Sequence, residues 1–567
     1  MSQSDIALVF PPQWDPCYPH LALPSLKAFL DGQGYQVKQY DANVAFYDWL
    51  LSRSTLENLY DRVMEAETSA DSALRNRIQF FKSVGEPLIA HTDEVKANFR
   101  SRKVANKPEE LTALELGLAL ASLPYFPTAI SFAHVSLPYS SSNLTDCFQA
   151  AHDQRVNPFR DFFLQVFIPQ LLETDPDVVG ISVTATTQLI PAVTLAALIR
   201  EEHPHIHITL GGNTLSRFAD EPERFKRLFD VIDSIILFDG EPSLEVLLDR
   251  LESGRSLEDV PNLVTFSHGD VHRSPSTVFA DVNALPTPTF EGLDLHQYFF
   301  PEPVLPLLAS RGCYWHRCAF CAIPHGYGKT YRARAIERVV EDMEQLSTTY
   351  KTNVFHFSDE SIAPGQLNNL CDTILHRDLN FLWMAFARTE QGFTPELCKK
   401  LYRAGCRMLA FGLESGCQRI LDLMNKGITT ERASDVLKNC AEAGILINLF
   451  VMFGFPTETR KEAQETMEFV LKHKDAVSSI SDSVFELDYQ SLVYCDPERY
   501  GVTHIYHPVN SELALAFDYD VAEGMNQEEV QKAHDEFQEL KRKAEIGKNL
   551  ELTLNQILLQ EEPHVTE

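Results

Sequence analysis

Cysteine is sparse in this sequence, with 11 among 567 residues. A count that low, with no secretory signal ahead of it, argues against a disulfide-stapled secreted scaffold. No run approaches the roughly 18 consecutive apolar residues of a membrane-spanning helix, so no transmembrane segment is expected. The opening residues MSQSDIALVF lack the basic region and small-residue cleavage site of a signal peptide, and the cytoplasm is the expected location. Cations are outnumbered, 49 Lys and Arg against 80 Asp and Glu, for a net charge of −31. That balance argues against a broad nucleic-acid surface, which needs clustered Lys and Arg, and leaves room for a local basic groove. Solubility is the simplest account of it. Also missing is a G-x-G-x-x-G turn after the first apolar run, so a dinucleotide fold has no support.

What is present points to a folded protein. Apolar residues make up 44% and aromatics 10% of a chain long enough for about two to four domains. Three of the few cysteines, Cys313, Cys318 and Cys321, stand within nine residues in SRGCYWHRCAFCAIPHGYG. Thiolates are soft ligands, and three on one short loop can each hold one iron of an iron–sulfur cluster, leaving a fourth iron open. Zinc is an alternative, with His316 or His325 as the fourth ligand. Plain buried thiols are another.

The organisation along the chain narrows these readings. IALVF reads as a buried parallel strand, LALPSLKAFLDGQG as an amphipathic helix closed by Gly34, and YQVKQYD as the next strand. This is the opening of a doubly wound sheet. Residues of about 44–170 are dominated by helical patterns such as LENLYDRVMEAE and read as a helical insertion. The α/β pattern then resumes, and three strand ends carry small or polar residues: Thr184-Ala185-Thr186, Gly211-Gly212-Asn213 and Gly240-Glu241, the last in a tight turn. Ligands of open α/β sheets bind at that carboxyl edge, although ordinary tight turns explain each one singly. Residues 266–300, rich in Pro, Ser and Asp, read as a linker.

From there five strand-then-helix units follow in a row, the pattern of a complete or partial α/β barrel, and SVFELDYQSLVYCDPERYGV can add a last strand. Polar residues fall at the strand ends one after another: Asp359 and Glu360, then Arg388, then Glu414 and Ser415. Barrel chemistry sits there, which weighs against zinc and structural thiols. An ion pair between Glu414 and Arg388 is the purely structural alternative for those two. NQEEVQKAHDEFQELKRKAE near the end reads as a charged, solvated helix.

The cysteine loop, with Phe320 just before its last cysteine, resembles that of the radical S-adenosylmethionine (SAM) enzymes, and the likeness spans about residues 300–475. FGLESGCQRILDLMNKG and FVMFGFPTET are especially close to family segments. The usual family spacing is C-x3-C-x2-C, whereas this chain has C-x4-C-x2-C with Tyr314-Trp315 inside the longer interval. The three earlier strand ends, with LALPSL and TLGG, resemble the cobalamin-binding domain that precedes the barrel in one large subgroup.

The resemblance implies an α/β fold with four parts: a Rossmann-like cobalamin-binding domain over 1–265, the linker, a partial (β/α)6 barrel over 301–500 and a helical region over 501–567. It implies a 4Fe-4S cluster on Cys313, Cys318 and Cys321, with SAM chelating the open iron. Phe320, Asp359, Glu360, Arg388, Glu414 and Ser415 would contact SAM, and Phe453 to Pro456 would lie along adenine. Thr184, Gly211, Gly212, Asn213, Gly240 and Glu241 would approach cobalamin. The family's D-x-H-x-x-G is missing: Asp294-Leu295-His296 is followed by Phe299 where glycine belongs, and His20 is the only histidine near the first loop. Cobalt is therefore expected without a histidine from the protein, or cobalamin binding has been lost.

The implied reaction is methyl transfer from cobalamin to an unactivated carbon of a small molecule or peptide, with the radical made from SAM. The alternative is a radical rearrangement or cyclisation without methyl transfer. A reductant such as flavodoxin or ferredoxin is the implied partner, with neither nucleic acid nor membrane. An electron-transfer protein with one cluster would leave the strand-end residues unexplained. Anaerobically reconstituted protein should hold about four irons per chain. Cys313→Ala, Cys318→Ala and Cys321→Ala should each lose them, together with SAM cleavage. Zinc as the native metal, with SAM left intact, would contradict this.

Overall fold

The computed structural model describes residues 5–67, 71–101 and 108–546. Parts of the expected helical insertion, and residues 547–567 of the expected helical tail, lie outside the described residues. The chain divides into two compact units. One runs to Pro303 and includes Asn510–Leu513; the other takes Val304–Val509 and the described residues from Ala514.

The first unit is built on a seven-stranded sheet: β1 Asp5–Phe10, β2 Gln36–Asp41, β3 Val178–Ser182, β4 His207–Gly211, β5 Ser234–Ile236, β6 Leu263–Ser267 and β7 Asp270–Arg273. Their order is β2-β1-β3-β4-β5-β6-β7. The first five are parallel, and β6 and β7 add an antiparallel edge. This 2-1-3-4-5 order is the flavodoxin-like variant of the doubly wound fold. β3, VVGIS, is buried at every position, as a central parallel strand covered on both faces must be. The helix Leu189–Glu202 that follows is buried from Leu189 to Ile199. Ile6, Leu8, Phe10, Leu23, Leu30, Leu244 and Leu247 close the core on one side of the sheet.

Between β2 and β3 the chain is helical, as its patterns imply, and also carries a short hairpin, Ala129–Ser131 with His134–Ser136, that those patterns do not reveal. The stretch 266–300 is packed on this unit. Gln39 Nε2 donates to the Thr289 and Glu291 carbonyls at 2.9 and 2.8 Å, and Tyr298 OH donates to Asp41 at 2.7 Å.

The second unit holds a six-stranded, wholly parallel sheet in sequential order: β8 Val304–Leu307, β9 Val354–Phe357, β10 Leu382–Ala387, β11 Cys406–Glu414, β12 Leu446–Phe453 and β13 Ser479–Val484. Sequential parallel order with a helix after each of the first five strands is a partial barrel. Local chemistry starts these helices. Pro364 and Pro395 occupy first helical turns, Thr394 and Thr429 cap with their side chains, and Thr459 with Glu462 forms a capping box.

The last strand, β13, is held by the helix Gln527–Ala544. Its buried Asp482 accepts from His534 Nε2 at 2.6 Å and from Gln538 and Lys541. Short antiparallel ladders, Leu487–Asp488 with Ala516–Phe517 and Val502–Ile505 with Tyr519–Val521, precede that helix. Among the described residues, no helix is long and apolar enough to cross a membrane.

Candidate active site

The cysteine loop starts just past β8. A two-residue antiparallel ladder, Ser310–Arg311 with Arg332–Ala333, closes its base. All three thiols are free and partly exposed. Between Cys313 and Cys318 the chain turns through His316, whose φ of +36° takes up the additional residue of the C-x4-C spacing. His316 Nδ1 lies 3.2 Å from the Cys313 carbonyl oxygen.

Trp315 folds back onto the segment Met424-Asn425-Lys426-Gly427. Its indole N–H donates to the Asn425 carbonyl at 3.0 Å, and Asn425 Nδ2 donates to the Arg317 carbonyl at 3.0 Å. Gly427, at φ +72°, supplies the seat: a Cβ there would lie 2.2 Å from the Trp315 ring. Ala319, between the second and third cysteines, is held through both backbone groups. Its N–H donates to the Met424 carbonyl at 2.8 Å, and its carbonyl accepts from Val493 N–H at 3.1 Å. Asp488 Oδ2 accepts from Ala322 N–H at 3.3 Å. The loop is thus clamped from two sides.

Two buried cations stand beside it. Lys426 pairs with Glu414 at 2.6 Å and lies 5.5 Å from the Phe320 ring centroid. Gly412 leaves the room for that pair, since a Cβ would come within 2.8 Å of both partners. Glu414 reaches it from a left-handed backbone, φ +69°, after a register shift in β11. Arg388 donates to the Lys426 carbonyl, lies 3.5 Å from Glu390, and sets its guanidinium carbon 4.3 Å from the Trp315 ring centroid. The ion pair considered between Glu414 and Arg388 is not formed; each takes another partner. Burial pushes the Cys318 thiol up, and Lys426 and Arg388 pull it back. Burial drives the Cys321 thiol well up.

This donor set fits an iron–sulfur cluster. Free, partly exposed thiols on a clamped loop, with two cations at hand, suit an anionic group that takes one thiolate per iron. Zinc would draw its ligands around one ion. No group of three or more His, Cys, Asp or Glu side chains among the described residues is arranged to hold one metal ion.

The two acids after β9 differ in setting. Asp359 is spent on the loop itself, accepting from Ala309 N–H at 2.9 Å and Ser310 Oγ at 2.6 Å, and burial pushes its carboxyl up to about 6 against those bonds. Among the described residues Glu360 accepts a single long bond, from Tyr327 OH at 3.3 Å, which leaves its second oxygen outside it; burial pushes it up to about 7. Ser415 faces the scaffold, 3.1 Å from Thr466 Oγ1 and accepting Cys417 N–H at 3.1 Å. Phe453 packs on Phe537, ring centroids 4.9 Å apart, and Gly454 N–H donates to buried Glu458 at 2.6 Å.

In the first unit the three strand ends gather at one carboxyl edge. Gln188 ties the end of β3 to the end of β1: its Oε1 accepts from Thr184 and Ala185 N–H at 2.8 and 3.1 Å, and its Nε2 donates to the Pro11 carbonyl at 2.9 Å. Thr214 Oγ1 donates to the Thr184 carbonyl at 2.8 Å. Gly212, at φ +116°, has no alternative, because a Cβ would lie 2.2 Å from the Val183 carbonyl oxygen. Gly211 ends β4, and Asn213 opens the short helix Asn213–Ser216. Gly240 is not the glycine of a tight turn. Its φ of −81° and ψ of −24° are helical, and the left-handed residue is Phe238 at φ +59°. Buried Glu241 starts the helix Glu241–Ser253. His20 stacks on Phe10 at 4.5 Å and accepts Ala22 N–H at Nδ1, 3.3 Å, so the neutral ring carries its proton on Nε2. Neither nitrogen then offers a free lone pair to a metal.

Lys426, Asn425, Gln188 and the 488–493 clamp were not singled out by sequence reasoning. MNKG was legible as part of a family-like segment, yet nothing in it marks Lys426 as the partner of Glu414.

A cysteine loop at the strand ends of a partial parallel barrel, in a chain that also carries a flavodoxin-like unit, defines an α/β protein with its candidate chemistry at a carboxyl edge. Residues 307–470 match the Radical SAM superfamily, and the chain carries a radical SAM domain. An uncharacterized methyltransferase of Pyrococcus horikoshii is 29% identical over 53% of this chain and 64% of its own length, so the chain spans less than two thirds of that relative. The cobalamin-dependent SAM radical enzyme OxsB, solved with aqua-cobalamin, matches 94% of this chain and 66% of its own at TM-score 0.62 and 15% identity. The radical SAM methyltransferase TsrM of Kitasatospora setae, solved with cobalamin and a 4Fe-4S cluster, matches 95% of this chain and 91% of its own at TM-score 0.60 and 16% identity. At these identities the two structures establish the fold.

Gly427→Val should unseat Trp315 and loosen the loop. Reconstituted iron per chain should fall by half or more while far-UV circular dichroism stays as in wild type. Full iron content in that variant would mean that the Trp315 seat does not hold the cysteines in place.

Proposed function

We propose that this chain is a radical SAM enzyme that methylates an unactivated carbon of a small molecule or peptide, using a 4Fe-4S cluster, SAM and cobalamin. The observation that carries the reading is the clamped three-cysteine loop with Lys426 and Arg388 beside it. Cys313, Cys318 and Cys321 would hold the cluster, which would supply the electron for reductive cleavage of SAM. Cobalamin on the first unit, along the edge formed by Thr184, Gly211, Gly212, Asn213, Gly240 and Glu241, supplies the methyl carrier. His20, stacked on Phe10 and accepting from Ala22 N–H, is not used as a cobalt ligand in this reading.

The protein's own residues do the positioning. Glu360, with an oxygen to spare, takes the SAM amino group in a charge-assisted hydrogen bond, and Arg388 meets the carboxylate or ribose. Asp359 acts one step back, by fixing Ala309 and Ser310 at the root of the loop. Glu414 holds Lys426, and Ser415 fixes the turn after β11 through Thr466 and Cys417. Phe320 and the Phe453 to Pro456 segment border the adenine side.

Anaerobic reconstitution with iron, sulfide, SAM and hydroxocobalamin should give protein that retains cobalamin through gel filtration and adds one CH2 to its substrate per turnover. Glu360→Gln should keep its iron and lose about tenfold in SAM affinity, the cost of one charge-assisted bond. Substrate consumed with no gain of CH2 would turn the reading to rearrangement or cyclisation. Protein that retains no cobalamin would remove methyl transfer from it.

A further inference from the structure

Lys426 is a buried lysine held in one place. Its ammonium is 2.6 Å from the Glu414 carboxylate and 5.5 Å from the ring centroid of Phe320, which stands between the second and third cysteines. Cys318 is within reach of its charge. The backbone around it is fixed as well. Its N–H donates to the Leu421 carbonyl at 3.0 Å, its carbonyl accepts from Arg388, and the nearby Met424 carbonyl accepts from Ala319 N–H at 2.8 Å. A buried Lys–Glu pair is poorly justified by stability, because desolvation offsets the attraction and an uncharged pair of similar volume would fill the same space. The charge itself is therefore the feature that needs a use.

We propose that the Lys426–Glu414 pair sets the reduction potential of the group held by the cysteine loop, with Lys426 as the cation that stabilises its reduced state. The proposal rests on the reading of the loop as a cluster site. One-electron reduction adds one negative charge to the cluster while the reductant, dithionite in the test below, is oxidised. A fixed cation at short range, weakly screened by water, favours the more negative state. Lys426 acts on Cys318 more strongly than Glu414 does, so the pair presents its positive end to the loop. Glu414 tempers that effect and keeps the ammonium charged where it is buried.

The test is a potentiometric titration of the full, reconstituted chain with dithionite and redox mediators, read by the electron paramagnetic resonance of the reduced cluster. SAM is left out, so that no contact of Lys426 or Arg388 with it can move the result. Iron per chain is measured first. Lys426→Met combined with Glu414→Gln removes both charges and keeps the volume. It should take up wild-type iron, and its ratio of reduced to oxidised cluster at a given potential should fall about tenfold, or about 59 mV for a one-electron couple. Glu414→Gln alone leaves the cation uncompensated and should move the potential the other way. An unchanged potential in the double variant would overturn the proposal. So would shifts of one sign in both variants, since lost packing does not follow the sign of the charge removed. A double variant without iron would also overturn it, by making the pair a requirement of loop assembly. Wild type that assembles no reducible cluster would fail the cluster reading itself.

Discussion

The second unit depends on one tertiary contact, the docking of the cysteine loop onto Met424–Gly427. The loop from Cys313 to Cys321 has no helix or strand of its own, so its order comes from contacts outside it. The Trp315 indole on Gly427, the Ala319 N–H on Met424 and the Asn425 amide on Arg317 provide it. Each hydrogen bond is worth about 1 kcal/mol net, and the aromatic burial adds about 1.5–3 kcal/mol. Together these can fix a short loop against its conformational entropy, roughly 1–2 kcal/mol per residue at its contact points. Asp359 from β9 and the 488–493 segment hold the same loop at other points, so strands far apart in sequence converge on it.

That docking also sets the charge around the thiols. Lys426 is brought in by the segment that seats Trp315, and Glu414 keeps it charged in a buried place. A buried ion pair contributes little to stability for its own sake, because desolvation offsets the attraction. Its value here is position: a fixed cation beside Cys318. Gly412 and the register shift in β11 make the pair possible, so backbone irregularity in this strand serves the site rather than the fold.

Much of this was legible in the chain. The run IALVF, the buried VVGIS and the alternation of apolar strands with capped helices specify parallel sheets, because periodicity and caps are local properties. The three cysteines and the polar residues at strand ends were visible for the same reason. Partner choice was not. Asp359 and Glu360 are neighbours in sequence, but one is consumed by the loop backbone and the other keeps a free oxygen, and only the fold separates them. Gly240 reads as a turn glycine, whereas Phe238 takes the left-handed backbone. The Ala129–Ser136 hairpin escaped because three-residue strands carry too little pattern to stand out from a helical surround.

In the proposed function the docked loop presents an open iron to SAM at the strand ends. Electron–nuclear double resonance on the dithionite-reduced, reconstituted protein tests it most directly, with SAM labelled by 15N at its amino group. A resolved 15N coupling to the cluster signal and a shifted spectrum are expected when SAM is added. A cluster signal that SAM leaves unchanged, with no 15N coupling, would contradict it.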